Sequence, residues 1–129
     1  MARKSVLLLV AAGTFAAAAA AGTGLPSGTY HATITGKPAA LNGRWQLEFR
    51  ANRGLRIVRN GQIVVVGTAS PLGGRRLKIH DRSGPYACST AEGDGVYGYA
   101  LAGRRLTFTA VSDRCVGRKL VLTTKPFVK

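Results

Sequence analysis

The strongest constraint on this chain is a two-residue period that recurs in short runs, each closed by turn residues. In Arg44–Arg50, RWQLEFR, the residues Trp45, Leu47 and Phe49 fall on one side and Arg44, Gln46, Glu48 and Arg50 on the other. Successive side chains of a strand point to opposite faces, so such a run reads as a half-buried strand. The same reading applies to 28–35, 55–59, 62–69, 75–81, 96–101, 104–113 and 119–127. Asn60-Gly61 separates two of these runs, and Asn-Gly is the strongest short hairpin signal because a type I′ turn needs positive φ at both central residues. Eight runs at spacings of about ten residues, with no sustained helical period after the N-terminal segment, predict an all-β domain. Consecutive hairpins favour a meander, and an eight-stranded meander removes its exposed edges by closing on itself. The expected fold is an eight-stranded antiparallel up-and-down barrel; a β-sandwich is the main alternative.

The first residues do not belong to this pattern. Arg3 and Lys4 are followed by an apolar stretch from Val6 and then by small residues, with Ala19–Ala21 as an A-x-A type site. That is the layout of a secretory signal peptide over 1–21. A membrane anchor is the alternative, but the apolar run is short for the roughly 20 residues of a spanning helix. Residues 22–27 read as a flexible lead and 28–129 as a single domain, with no later segment apolar and long enough to span a bilayer. The expectation is a secreted protein, extracellular or envelope-associated. Cys88 and Cys115 are the two cysteines, and an even count in an exported chain argues for one disulfide. Closing that loop is worth about 3–4 kcal/mol in the chain-entropy picture.

Chemistry-bearing residues are sparse. The acids are Glu48, Asp81, Glu92, Asp94 and Asp113, and the histidines are His31 and His80. Alternation puts Glu48 and both histidines on outward faces. Glu92 and Asp94 lie in a long loop, and Asp113 is placed to cap a turn or pair with Arg114 or Arg118. No nucleophile elbow and no phosphate-binding glycine loop occurs. Two lone cysteines and two distant histidines lack metal-ligand spacing. The chain therefore reads as non-enzymatic, with no cofactor and no metal. The whole chain carries +14; without Arg3 and Lys4 this becomes +12. Such a field attracts anionic envelope polymers and acidic headgroups, though the charges are spread as on an ordinary solvated surface. Specific nucleic-acid binding is not expected, because the aromatics alternate inward and form no stacking platform with Arg.

The order of motifs resembles the lipocalin-like (calycin) barrels, in particular small secreted proteins of an actinobacterial type. Gly43-Arg44-Trp45 matches their G-x-W signature, and Asp113-Arg114-Cys115-Val116-Gly117-Arg118 matches a D-x-C-x-G-R ending; GPYAC at 84–88, GVYGYAL at 95–101 and GRRLTFTAV at 103–111 lie between. The resemblance implies that Trp45 sits at a closed end of the barrel with Arg118 packed across its ring. Such a contact gains roughly 0.5–2 kcal/mol and ties an early strand to the last one. Two departures stand out: a strand precedes G-x-W, and no helix is evident beside the barrel.

Barrel mouths are habitual ligand sites. The inward set is Tyr30, Trp45, Leu47, Phe49, Ile57, Leu77, Ile79, Tyr97, Tyr99, Leu106 and Phe108. Tyr30, Trp45, Leu47, Phe49, Ile57, Tyr97, Tyr99 and Phe108 are the expected contacts for a small apolar or amphipathic ligand. The same side chains can equally fill the barrel as its core, since eight strands enclose little more than side chains. Two other readings stay open: a protein-binding module such as a secreted protease inhibitor, and a cationic binder of envelope polymers.

Overall fold

The computed structural model describes residues 25–129. The expected signal peptide over 1–21, and 22–24 of the lead, lie outside the described residues. Eight strands follow in order: β1 Gly28–Ile34, β2 Gly43–Phe49, β3 Gly54–Arg59, β4 Gln62–Gly73, β5 Arg76–Ser83, β6 Gly95–Ala102, β7 Arg105–Ser112 and β8 Phe127–Val128. Each pairs antiparallel with the next, and β8 returns to β1, so the sheet is a closed up-and-down barrel. This is the architecture that the alternation predicts. Leu47, Leu77, Ile79, Tyr97 and Leu106 are all buried, at every second position of their strands. Asn60 and Gly61 both take positive φ in the β3–β4 hairpin, as an Asn-Gly turn requires. Register shifts interrupt the period in the β3–β4, β4–β5 and β6–β7 pairings; in the first, Ile57 faces Val65 while Val58 faces Ile63, so Val64 is the extra residue of β4.

The last expected strand, 119–127, is corrected. Residues Val116–Thr123 form a helix, α1, and only Phe127–Val128 continue as strand. The reason lies in spacing. Arg118, Val121 and Leu122 are the buried residues of α1, three and four positions apart, which is one face of a helix. A strand would send Val121 and Leu122 to opposite faces. The barrel therefore closes on a short seam: Val128 faces His31 of β1 and Arg105 of β7, and Phe127 faces Leu106. Phe127 is fully buried and meets the Phe108 ring edge-on at 6.3 Å; Phe108 meets Tyr97 in the same way at 6.2 Å.

The two poles of the barrel differ. At one pole stand the tight turns β2–β3, β4–β5 and β6–β7 with the chain's last residue. At the other stand the β1–β2 connection, the Asn60-Gly61 turn, the long loop 84–94 and the entry to α1. A disulfide between Cys88 and Cys115 joins that long loop to the residue before α1.

Replacing both cysteines by serine is expected to lower stability by about 3–4 kcal/mol in urea unfolding. Phe127→Ala is expected to cost about 3–5 kcal/mol, because it empties the core and weakens the seam together. A loss under about 1 kcal/mol for the latter would show that the seam does not hold the barrel shut.

Candidate functional site

The ends of three neighbouring strands meet α1 at the pole of the long loop. Asp81 continues the inward parity of Leu77 and Ile79 in β5. Asp113 directly follows β7, and Arg118 lies on the first turn of α1. The side chains of Arg118, Asp81 and Asp113 are 2%, 3% and 0% exposed, so this is an ion cluster taken out of water. Arg118 Nε donates to Asp113 Oδ2 at 2.7 Å, and its Nη2 donates to Asp113 Oδ1 at 2.8 Å. Nη2 also donates to the carbonyl of Gly93 at 2.9 Å. Tyr97 donates its hydroxyl to Asp113 Oδ2 in a short hydrogen bond. The backbone N–H of Cys115 donates to Asp113 Oδ1 at 2.8 Å, and that of Cys88 donates to Asp81 Oδ2 at 2.8 Å. Each carboxylate thus holds one half-cystine. Gly95 makes room for this: a Cβ there would collide with the Asp113 carboxylate and the Tyr97 ring.

The protonation states follow from these contacts. Burial alone would raise the Asp113 carboxyl. Hydrogen bonds from Arg118, Tyr97 and Cys115, with the Arg118 charge, outweigh it and hold Asp113 below the ordinary carboxylate range. Burial would likewise lower Arg118, but the Asp113 hydrogen bonds and the two carboxylate charges raise it above its usual value. Tyr97 is raised by burial and by its bond to Asp113, and stays a neutral donor.

Beside the cluster lies a cavity of about 310 Å³. Its wall is mostly apolar: Leu41, Trp45, Ile57, Val65, Val121 and Leu122, with Asp81 and Arg118 as its charged members. Tyr86, Cys115, Gly117 and Ala40 complete the wall. Tyr86 and Gly117 are exposed, so the cavity reaches the surface at this pole. Trp45 is fixed by its indole N–H, which donates to the Leu41 carbonyl at 2.8 Å.

The cation over Trp45 is Arg59, not Arg118. The Arg59 guanidinium carbon lies 5.4 Å from the Trp45 ring centroid and 5.7 Å from that of Tyr86. Arg59 faces Trp45 directly in the β2–β3 register, donates Nε to the Asn42 carbonyl at 3.0 Å, and donates Nη1 to the Tyr86 hydroxyl at 2.8 Å. Arg118 is held away from the indole by Asp113 and Asp81. Trp45 itself stands in the wall of the cavity, at the pole that the resemblance makes the closed one.

Of the expected ligand contacts, Trp45 and Ile57 line this cavity. Tyr30, Leu47, Tyr97, Tyr99 and Phe108 are buried in the common core. Phe49 is half-buried, packs edge-on to Tyr30 at 5.9 Å, and borders a smaller pocket of about 110 Å³ at the opposite pole with Leu25 and Pro26. Pro26 of the expected flexible lead is buried there. His31 and His80 are exposed, and His80 Nδ1 lies 2.6 Å from Asp94 Oδ1. Among the described residues no group of three or more His, Cys, Asp or Glu is placed to hold a metal.

No family model, curated protein or solved structure matches this chain. Its barrel is compatible with a lipocalin-like fold on topology alone.

Sequence reasoning missed Asp81 and Arg59 as members of this pole. Parity carried the signal in both cases. Asp81 follows Leu77 and Ile79, and Arg59 follows Leu55 and Ile57, each at the next inward position.

Arg59→Ala is expected to change Trp45 emission, whereas the earlier pairing would require that effect from Arg118. Asp113→Asn is expected to cost about 3 kcal/mol at pH 7, because it leaves Arg118 short of a buried partner. The acid profile gives the sign. A depressed folded-state value means that the Asp113 contribution is complete above the unfolded value, about 3.9, and is lost as pH falls through the folded one. Unfolding measured from pH 5 downward should therefore decline less steeply in Asp113→Asn than in the wild type. Parallel profiles would exclude Asp113 as the responsible group.

Proposed function

We propose that this protein is a secreted, non-enzymatic binding protein of the lipocalin-like type, carrying a small amphipathic molecule in the cavity beside Trp45. The observation that supports it is the cavity itself. About 310 Å³ lies at the lower end of the range usual for ligand pockets, with apolar walls and few polar groups, as binding sites have. Tyr86, in the cavity wall, is held by Arg59, and a disulfide ties the long loop to the residue before α1. That construction favours a mouth formed before the ligand arrives, which lowers the ordering cost of binding. Export fits the leader-like residues 1–21 and the disulfide.

Surface charge favours a second, compatible property. Two of the five acids, Asp81 and Asp113, are consumed inside with Arg118. The outer face keeps only Glu48, Glu92 and Asp94 against its many arginines and lysines. The exterior is thus more one-sided than the composition states, and association with anionic envelope surfaces follows, weakening steeply with salt.

Trp45 is the only tryptophan and lies in the cavity wall, so its emission reports occupancy. Titration with medium-chain aliphatic probes is expected to shift it saturably. Gly117→Phe supplies a control: nothing lies within 4 Å of the position a Cβ would take, and Gly117 is part of the lining. This variant should fold and bind at least about tenfold more weakly, since a ring there takes ligand space. Wild-type emission indifferent to every probe would count against a carrier.

A further inference from the structure

Two residues that line the cavity, Asp81 and Arg118, each have one buried polar atom without a hydrogen-bond partner. These atoms are Asp81 Oδ1 and Arg118 Nη1. They face each other at 3.4 Å, close enough for Coulomb attraction and too long for a good hydrogen bond. Every other polar atom of the two side chains is engaged: Asp81 Oδ2 by Cys88 N–H, Arg118 Nε by Asp113, and Arg118 Nη2 by Asp113 and Gly93. A buried donor or acceptor left unpaired costs about 1–3 kcal/mol, so such atoms mark a place where a partner belongs. Here one acceptor and one donor stand side by side in the two charged residues that line an otherwise mostly apolar cavity.

We infer that Asp81 Oδ1 and Arg118 Nη1 form the head-group site of the cavity, and that the head group is neutral and both gives and takes a hydrogen bond: an alcohol or a primary carboxamide on an aliphatic body. An oxygen bridging the pair would donate its proton to Asp81 Oδ1 and accept from Arg118 Nη1. An amide would donate through its NH2 and accept through its carbonyl. A carboxylate does not fit. Arg118 already serves two carboxylates, so the cluster carries an excess of negative charge, and a third anion would meet Asp81 Oδ1 with no proton to offer. An ether does not fit either, because it leaves Asp81 Oδ1 bare. Two other polar side chains of this pole are engaged, Arg59 by Asn42 and Tyr86 and the Trp45 indole by Leu41; Asn42 Oδ1 is also buried without a partner, but Asn42 is not part of the cavity lining.

The inference rests on the carrier reading, and its test separates the two. The oxidised protein is titrated, with Trp45 emission and calorimetry as readouts, against octan-1-ol, octanamide, the methyl ether of octanol and octanoate at pH 7. The alcohol and the amide are expected to bind at least about tenfold more tightly than the ether and the carboxylate, the discrimination one unpaired buried group gives. Asp81→Asn keeps an oxygen for Cys88 N–H and replaces the free acceptor, and it should bring the alcohol down to the level of the ether. The wild-type series decides the matter even where that variant folds poorly. Four probes bound alike would overturn the head-group site and leave the carrier standing, with Asp81 and Arg118 satisfied by water. Octanoate bound most tightly would also overturn it, since Arg118 would then act as a free cation. Binding of none would remove both.

Discussion

A single buried guanidinium organises this molecule. Arg118 reaches from α1 to a carboxylate that follows β7, a carboxylate near the end of β5, and a carbonyl of the long loop. Tyr97 of β6 joins through Asp113. Three neighbouring strands, a loop and a helix therefore share one polar contact. Charges taken out of water cost several kcal/mol each, and attraction offsets this only where geometry and hydrogen bonding are good. Asp113 meets that condition, with two bonds from Arg118 and one each from Tyr97 and Cys115. Asp81 meets it by half. The contrast divides the cluster into a side around Asp113 that is closed on itself and a side around Asp81 whose hydrogen bonding is incomplete.

The cavity follows from what α1 displaces. An eight-stranded barrel is only just wide enough for its side chains to fill. Through the middle of the barrel they do so, with Tyr97, Phe108 and Phe127 in edge-on contact. At the pole of the long loop the last part of the chain is not a strand between β7 and β1. A helix carries Val121 and Leu122 inward, and the space beside them is bounded by Trp45, Ile57 and Val65. The helix-to-strand exchange is thus both the main departure from the expected fold and the origin of the site.

Fold class was legible because strand parity is a local signal, repeated in seven runs that do form strands and punctuated by turns such as Asn60-Gly61. The disulfide was legible from cysteine count. The helix was not: KLVLTT carries apolar residues close enough to serve either period, and the choice is made by Arg118, whose partners come from distant strands. The Trp45 pairing failed for a related reason. Two arginines compete for the indole, and only the three-dimensional arrangement shows that Asp81 and Asp113 occupy one of them. Parity did place Asp81 and Arg59 inward, but charged residues at inward positions invite a surface reading when their partners are unseen.

The seam at β8 has a geometric consequence. Lys129 ends the chain beside the first residue of β1: its side chain reaches Gly28 and lies over the Tyr30 ring, and its N–H bonds to Arg104. Both ends of the domain therefore emerge together at the pole of the tight turns, with the cavity at the antipode. The molecule has an axis, with a root at one tip and an aperture at the other. Whatever is joined to the root, the aperture points away from it.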